Sequence, residues 1–492
     1  MSRVYSAQGI FSAFPRPSSG LPGKIPLEDQ RDGVVRERPY QNERTEVVSR
    51  MQEVDTIISG GRVLTSDKED SIIHDGSIAI DGTTIIDVGT SHEIEARFSG
   101  RKTIDARDCL VMPGLINGHN HAAMTCFRGI ADDMELMDWL ENYIFPAEAR
   151  NVNPELAYWG SMLACAEMIK SGTTTFSDMY IFEDETARAA KEAGMRCLLG
   201  EVLFDFPSPN SKTPEEGLEY TRMLIEKWMD DPLVNIMVEP HSLYTCSPSL
   251  LRDAKTLADQ YHVPLATHLL ENKGEVIQLE EKLGKRATTF LMDIGCLDER
   301  FIAFHCVCMD DEDMKIFADH GCKVVHNPES NMKLASGVAP ISRMLEHGVV
   351  VGIGTDGCAS NNNLDMLQEM DTAAKLGKVV SYDPTVLSAH TVTRMATCEG
   401  ARVLGMDTSV GVLKPGMKAD IIIIDLNKPH LTPRYNEYST LVYAASGSDV
   451  ITSIINGRIV MEDRKLLTIS EYEVMDKVNE ISRRVKKGMG LQ

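Results

Sequence analysis

Residues 111–121 read Val-Met-Pro-Gly-Leu-Ile-Asn-Gly-His-Asn-His, an apolar run that leads through a Gly/Asn turn to two histidines, His119 and His121. On an extended backbone, side chains two residues apart point to the same face, so both imidazoles face one way. Two nitrogen ligands on one face suit a metal ion. Two polar loop residues would give the same short pattern, so the rest of the chain has to decide between these interpretations.

After this stretch, short β-branched runs alternate with helix-length amphipathic stretches. This alternation is typical of an α/β fold in which βα units repeat around a parallel sheet. Eight units within about 300 residues favour a (β/α)8 TIM barrel over an open doubly wound sheet. The predicted strands span residues 110–117, 173–178, 196–203, 234–239, 263–268, 301–306, 322–327 and 349–355.

Shorter β-like runs flank the barrel region on both sides. An Asp81-Gly82 hairpin turn lies in the first group, and residues 454–460 resemble residues 57–63. We therefore expect a small β-sandwich domain built from 52–112 and 413–492, the second part ending in a helix, around a barrel of 113–412. Residues 1–51, rich in Ser, Pro, Gly and charge, are expected to be a disordered extension, with a targeting peptide as the alternative.

The amino-acid composition limits the classes of partner that the protein is expected to bind. The 492 residues include 50 Lys and Arg against 73 Asp and Glu, a formal net charge of −23, which argues against nucleic acid or an anionic membrane as a partner. Eleven cysteines show no spaced framework, which favours reduced thiols in the cytoplasm. No apolar run approaches the ~20 residues of a membrane span. A small-molecule substrate fits this composition best.

The residues that close the predicted strands test the metal hypothesis, because barrel active sites lie at the carboxyl ends of the strands. Any single histidine or aspartate there could be a hydrogen-bonded structural residue, but their joint placement at one rim indicates a metal site. Three imidazoles and one carboxylate suit zinc, or ferrous iron in a similar pocket. These closing residues are His119, His121, Asp178, His241, His268, His305, His326 and Asp356.

Such a metal would activate a water molecule by lowering its pKa toward ~7, which suits attack on an sp² carbon that bears an amino leaving group. The reaction also needs a proton donor. Glu271 follows His268 by three residues and could reach the pocket as a general acid/base. An exposed acid at a helix N-terminus would explain the same residue.

Several motifs together resemble the amidohydrolase superfamily. They are the His119-Asn120-His121 pair, the His268-x-x-Glu271 step, His305-Cys306-Val307 and Thr355-Asp356-Gly357. Three further segments are similar to the methylthioadenosine/S-adenosylhomocysteine deaminase branch of that superfamily: residues 127–133, residues 139–148 and residues 241–247, which read His-Ser-Leu-Tyr-Thr-Cys-Ser. The resemblance covers about residues 52–465.

The resemblance implies one divalent metal ion per subunit, held by His119, His121, His268 and Asp356, with zinc favoured over ferrous iron. Asp356 would also take a proton from the attacking water, which His305 would orient. The carboxylated lysine that bridges a second metal in this superfamily has no counterpart in residues 234–239, so a single metal is expected.

The resemblance also implies the reaction and the substrate contacts. An adenosine derivative would be hydrolysed to the inosine derivative and ammonia, with Glu271 protonating the purine ring nitrogen next to C6. Glu148 would hold the ribose hydroxyls, and His241 would contact the sugar side of the substrate. A homo-oligomer, dimer or tetramer, is expected.

One departure from the family concerns the 5′ end of the substrate. Some members grip the carboxylate of S-adenosylhomocysteine with an arginine after strand three, whereas residues 197–221 contain no arginine and only one lysine, Lys212. Methylthioadenosine, adenosine and 5′-deoxyadenosine are therefore comparable candidates. Two alternatives stay open: a related hydrolase of another aminated or chlorinated heterocycle, such as guanine or an s-triazine, and a metal-free scaffold protein.

Overall fold

A computed structural model describes residues 51–134 and 138–489. Eighteen strands occur in these ranges. In chain order they are β1 (Gln52–Leu64), β2 (Ile72–Asp81), β3 (Thr84–Thr90), β4 (Phe98–Asp105), β5 (Cys109–Pro113), β6 (Leu115–Asn117), β7 (Thr173–Tyr180), β8 (Arg196–Leu203), β9 (Val234–Ile236), β10 (Glu239–Pro240), β11 (Leu265–Leu269), β12 (Phe301–His305), β13 (Lys323–His326), β14 (Val350–Ile353), β15 (Ile421–Asp425), β16 (Val450–Ile455), β17 (Arg458–Glu462) and β18 (Lys465–Leu466).

Helices connect and cover the strands, and short 3₁₀ segments and one π-helical turn at Trp139–Ile144 complete the described chain. The α-helices are α1 (Ser91–Glu95), α2 (Phe145–Asn151), α3 (Pro154–Ser171), α4 (Glu183–Ala193), α5 (Pro214–Trp228), α6 (Pro248–Tyr261), α7 (Lys273–Leu283), α8 (Ala287–Asp293), α9 (Asp311–His320), α10 (Pro328–Lys333), α11 (Ile341–Glu346), α12 (Met366–Ser381), α13 (Ala389–Met395), α14 (Cys398–Val403), α15 (Glu437–Tyr443) and α16 (Glu471–Met489). None of the helices in the described ranges is long and apolar enough to cross a bilayer.

The barrel consists of eight parallel strand positions, β6, β7, β8, the β9/β10 pair and β11 to β14. Parallel ladders join β6 through β10 and β11 through β14, and a bridge between Ser242 and His268 connects the two sets. The Gly118 N–H donates to the Ile353 carbonyl oxygen at 2.8 Å, which closes the ring between β14 and β6. The predicted TIM-barrel architecture is confirmed.

The two ends of the described chain form one nine-stranded sheet. Strand β5 pairs antiparallel with β15, with Met112 opposite Ile422, and β1 pairs with β2, β4 and β5. A cluster of buried aliphatic side chains that includes Ile58, Ile78 and Ile423 covers one face of this sheet. The two-layer sandwich and the predicted domain boundaries stay predictions, and the predicted extension of residues 1–51 lies almost wholly outside the described residues.

The predicted first barrel strand, residues 110–117, is wrong as a single strand. The strand is interrupted at Gly114, so that β5 belongs to the nine-stranded sheet and β6 belongs to the barrel. A Cβ on Gly114 would lie 2.1 Å from Thr174 Oγ1, so the neighbouring strand leaves no room for a side chain where the backbone changes direction. Residues 234–239 are likewise divided between β9 and β10.

The C-terminal helix α16 packs against the segment between β6 and β7. Its buried residues Val478, Ile481 and Val485 pack in the same apolar cluster as Trp139 and Ile144. The neighbouring helix α3 has Asn153 as its N-cap residue, whose side chain accepts a hydrogen bond from the Leu156 N–H, and a proline at its first position. This packing fixes the segment between β6 and β7, from which part of the site is built.

Candidate metal centre and active site

The predicted metal ligands converge at the carboxyl ends of the barrel strands. Ligand atoms of His119, His121 and Asp356 lie within 4.8 Å of one another, as do those of His119, His268 and His305. The His121 Nε2 and Asp356 Oδ1 atoms are 3.1 Å apart, and His119 Nε2 lies 3.6 Å from the same oxygen. The structure therefore brings all four predicted ligands together, with His305 beside them.

Backbone carbonyl groups orient two of these imidazoles. The Nδ1 atom of His268 lies 2.8 Å from the carbonyl oxygen of His241, and Nδ1 of His121 contacts the carbonyl oxygen of Met179. Because a carbonyl oxygen only accepts hydrogen bonds, each Nδ1 carries a proton and each Nε2 points into the cluster. Metal-binding histidines are commonly oriented in this way.

The surroundings of His119 indicate whether these residues fit a metal ion. Its side chain is fully buried, and in the described part of the chain neither of its ring nitrogens has a hydrogen-bond partner. Burial holds the pKa values of His119 and His268 well below the usual value for histidine, so both imidazoles are neutral. Since buried polar atoms rarely lack a partner, neutral nitrogen donors beside the Asp356 carboxylate fit a divalent cation.

Three hydrogen bonds hold Asp356 in place. The Ser330 and Ser360 hydroxyls donate to its Oδ2 at 2.6 and 2.8 Å, and the Gly357 N–H donates to its Oδ1 at 2.7 Å. Burial alone would raise the pKa of this carboxyl group, but the hydrogen bond from His121 and the charge of that imidazole hold the pKa well below its usual range. Asp356 is therefore a carboxylate in the folded protein.

The backbone is strained at three positions around the cluster. Leu270, His305 and Asp356 have φ values of +53°, +68° and +61°, in the left-handed region that side chains disfavour. Each lies at or just beyond the end of a barrel strand. Strained residues of this kind concentrate at functional sites, where the surrounding structure holds them.

His305 is positioned by a residue that the sequence did not single out. Its Nδ1 donates to Oδ1 of Asn331 at 2.8 Å, and its Nε2 lies 4.0 Å from Asp356 Oδ2. Asn331 lies on α10, directly after β13. Its one signal in the sequence is the Asn-rich run of residues 327–331, which has no recognised spacing relative to His305.

Glu271 lies inside the site and is not an exposed acid. It is buried and lines the same cavity as His268 and Asp356. Burial raises the pKa of its carboxyl group, which favours the protonated acid. The Glu275 carboxylate accepts hydrogen bonds from the N–H groups of Leu270 and Glu271, at 3.1 and 2.7 Å, and so fixes this turn. Glu275 was also missed from the sequence, where it is one acid among several in an ordinary helix.

The cluster forms one end of a cavity that is lined by both apolar and polar side chains, as small-molecule sites commonly are. Glu148 and His241 line its wall. Burial raises the pKa of Glu148 to about 7, against the opposing effects of Tyr180 and His121. Desolvation lowers the pKa of His241 to about 3, so its imidazole is neutral. The cavity thus joins a metal cluster to a carboxyl group and an imidazole farther along its wall.

Two strand-end residues do not line this cavity. Asp178 Oδ1 accepts the N–H of Ala122 at 2.6 Å, which fixes the turn after His121. Asp178 thus lies at the rim beside His121 but supports the backbone there. His326 borders a separate small cavity beside Val338. The expectation that His326 shares the rim with the other histidines is wrong, because a strand-end position fixes the backbone while successive side chains point to opposite faces.

Comparison with known proteins identifies the family. The profile of the amidohydrolase family matches residues 110–460. The chain belongs to the amidohydrolase family. This confirms the resemblance drawn from the His-x-His, His-x-x-Glu and Thr-Asp-Gly motifs, and it agrees with the position of this amidohydrolase's metal cluster at the strand ends.

Relatives of this amidohydrolase include deaminases of adenosine derivatives. It is 67% identical to 5-methylthioadenosine/S-adenosylhomocysteine deaminase 1 of Syntrophus aciditrophicus, over 89% of this chain and 99% of the relative. It is 45% identical to 5′-deoxyadenosine deaminase of Methanosarcina mazei, over 86% and 96% of the two chains. The crystal structure of an adenosine deaminase from Xanthomonas campestris with bound zinc shares 35% identity and a TM-score of 0.88, over 89% of this chain and all of the other.

Proposed function

We propose that this chain is a metal-dependent hydrolytic deaminase that converts an adenosine derivative into the corresponding inosine derivative and ammonia. One observation carries this proposal: the metal cluster, the buried acid Glu271 and the buried acid Glu148 line a single cavity. The names of the relatives, which act on methylthioadenosine, S-adenosylhomocysteine and 5′-deoxyadenosine, support the same substrate class.

We propose that His119, His121, His268 and Asp356 would hold one divalent ion, zinc in preference to ferrous iron. The nitrogen-rich donor set and the zinc in the related adenosine deaminase support this choice. When bound, the ion would supply Lewis acidity that lowers the pKa of a water molecule in the cavity.

The side chains around the ion then move the protons. Asp356 accepts a proton from the water whose oxygen forms the new bond to C6, and His305 orients that water. Glu271, kept protonated by burial, donates its proton to the ring nitrogen next to C6. The C6–N bond breaks after Asp356 returns its proton to the amino group, which leaves as ammonia. The hydroxyl group on C6 then gives its proton to Glu271, which forms the carbonyl group of the product and restores the protonated acid.

We propose that Glu148 and His241 bind the sugar. The buried carboxyl group of Glu148 can form hydrogen bonds with both ribose hydroxyls, and such bonds contribute about 1.5–3 kcal/mol each when the group is charged. His241, held in its neutral form and tethered through Nδ1 to the Thr245 hydroxyl at 3.0 Å, presents its other nitrogen to the substrate. These two residues distinguish a nucleoside substrate from a bare heterocycle.

The test follows the ultraviolet change of adenosine-to-inosine conversion with adenosine, methylthioadenosine, 5′-deoxyadenosine and S-adenosylhomocysteine, with guanine and an s-triazine as comparators. We expect turnover of adenosine compounds, and Glu148→Ala should raise KM for them at least about tenfold by removing one such hydrogen bond. Absence of turnover on every adenosine compound, or an unchanged KM in the variant, would contradict the proposal. Elemental analysis that finds no stoichiometric metal would favour a metal-free scaffold instead.

We also propose that the nine-stranded sheet forms a two-layer sandwich, and that the enzyme works in the cytoplasm as a homodimer or homotetramer. The enclosed aliphatic cluster of this sheet supports the first point, and eleven free cysteines, most of them buried, suit a reducing compartment. Light scattering of the purified protein tests the oligomer, with a monomer contradicting it.

A further inference from the structure

The far wall of the cavity, beyond His241, is aromatic. Phe145 and Phe204 line the cavity there, with ring centroids 6.3 Å apart. Phe206 stacks against Phe204 at a ring-centroid distance of 4.6 Å and lies 6.0 Å from Phe145. The Phe204 ring lies 5.0 Å from that of His241, which itself lies 4.9 Å from that of His268. The aromatic trio is therefore farther from the metal ligands than the proposed sugar contact is.

We propose that the aromatic trio of Phe145, Phe204 and Phe206 binds the 5′ substituent of the substrate and selects uncharged, apolar groups over an amino-acid tail. This inference rests on the proposed deaminase function. With the purine ring at the metal cluster and the ribose at Glu148 and His241, the 5′ carbon is directed at the trio.

Two features of the structure fix the position of the aromatic trio relative to the proposed sugar site. Phe145 and Glu148 lie three residues apart on α2, so they share one face of that helix. The chain after β8 is tied to the loop that carries His241, because the Asp205 N–H donates to the Thr245 carbonyl oxygen at 3.1 Å. The wall is thus built into the same elements as the proposed ribose contacts.

The charges near the trio do not suit a carboxylate. None of the described residues that line the cavity is Lys or Arg. Arg196 begins β8 at the opposite end of the strand, where its Nε donates to Asp420 at 2.8 Å, and Lys212 is exposed and does not line the cavity. Asp205 could meet an ammonium group, but a carboxylate placed against these rings would lose water without gaining a cation, which is unfavourable. A methylthio group or a hydrogen atom carries no charge, so its placement against these rings has no such desolvation cost.

The test compares kcat/KM for methylthioadenosine and S-adenosylhomocysteine in the wild-type enzyme. We expect methylthioadenosine to be favoured at least about tenfold, the discrimination that a shaped apolar pocket achieves. Values within about threefold of each other would overturn the inference while leaving the deaminase function intact. Failure to turn over any adenosine compound would instead contradict the proposed function.

Two variants test whether the aromatic trio causes the discrimination between methylthioadenosine and S-adenosylhomocysteine. Phe204→Ala should lower kcat/KM for methylthioadenosine about tenfold or more, and that for adenosine by less than about threefold, because adenosine has no apolar 5′ group to lose. Phe206→Arg, at a side chain that is 40% exposed, should raise kcat/KM for S-adenosylhomocysteine at least about tenfold through a charge-assisted bond to its carboxylate. Tyr382→Arg, at a fully solvated aromatic residue, is the matched control for added charge. Equal losses on all substrates in the first variant, together with no gain in the second, would overturn the assignment.

Discussion

The two ends of the cavity are built in different ways. At the metal end, the side chains come from barrel strands or the residues directly after them, and they are buried. Hydrogen bonds to backbone carbonyl and side-chain amide oxygens, and from hydroxyl groups, fix their direction. At the aromatic end, the side chains come from helix α2 and from the loop between β8 and α5, and exposure rises to 40% at Phe206. Chemistry on C6 needs fixed geometry, whereas a 5′ substituent needs only shape and polarity. Substitutions at the first end should therefore lower kcat for every substrate, and those at the second should alter substrate choice.

The largest effect is expected for Glu271→Gln. Removing the proposed proton donor should lower kcat about 10²- to 10⁴-fold, the usual contribution of general acid–base catalysis. The loss should be the same for methylthioadenosine and adenosine, since Glu271 lies at the metal end. Steady-state kinetics with both substrates and metal analysis of the variant provide the measurement.

The control for this variant is Glu280→Gln, an exposed position on α7 that does not line the cavity. It should leave kcat unchanged. If Glu271→Gln retained more than about a tenth of the wild-type kcat with its metal in place, Glu271 would not be the proton donor. A loss of kcat for only one of the two substrates would contradict the assignment of catalysis to the metal end and of substrate choice to the aromatic end.

Sequence patterns identified the metal end better than the aromatic end, for a physical reason. Strand-end positions can be read from β periodicity, and the barrel then requires that His119, His268 and Asp356 meet, although they are more than 80 residues apart from one another in the sequence. The same argument failed for His326, and it did not show that Asp178 supports a turn and does not line the cavity, since strand periodicity does not say which side chain turns inward. The break at Gly114 was also missed, because only the contact with Thr174 reveals it.

The residues that support the site could not be predicted from the sequence, for a related reason. Asn331 and Glu275 act through hydrogen bonds to residues brought near them by the fold or by a strained turn, and no local pattern encodes such a bond. The aromatic trio likewise combines a helix after β6 with a loop after β8. From the sequence, only the lack of an arginine in residues 197–221 pointed to this end of the cavity.

An intermediate effect is expected for Asn331→Ala. Losing the acceptor for the His305 Nδ1 proton should let the imidazole turn, and supporting residues of this kind typically contribute about 10- to 100-fold to activity or metal affinity. Because the effect acts through the metal end, kcat should fall equally for all adenosine compounds. Asn331→Asp keeps an oxygen acceptor at the same position and should recover most of kcat, whereas equal losses in both variants would indicate a general packing defect.

The smallest effect is expected for Lys212→Ala, and it addresses the aromatic end directly. Lys212 is the one cation in residues 197–221, so it is the only residue of that segment that could replace the missing arginine. Its side chain is exposed and does not line the cavity, and water and salt screen such a charge. We therefore expect kcat/KM for methylthioadenosine and for S-adenosylhomocysteine to change by less than about twofold at physiological ionic strength. A selective loss of S-adenosylhomocysteine turnover would mean that Lys212 reaches the substrate carboxylate, and that this end of the cavity selects by charge as well as by the shape of its three aromatic rings.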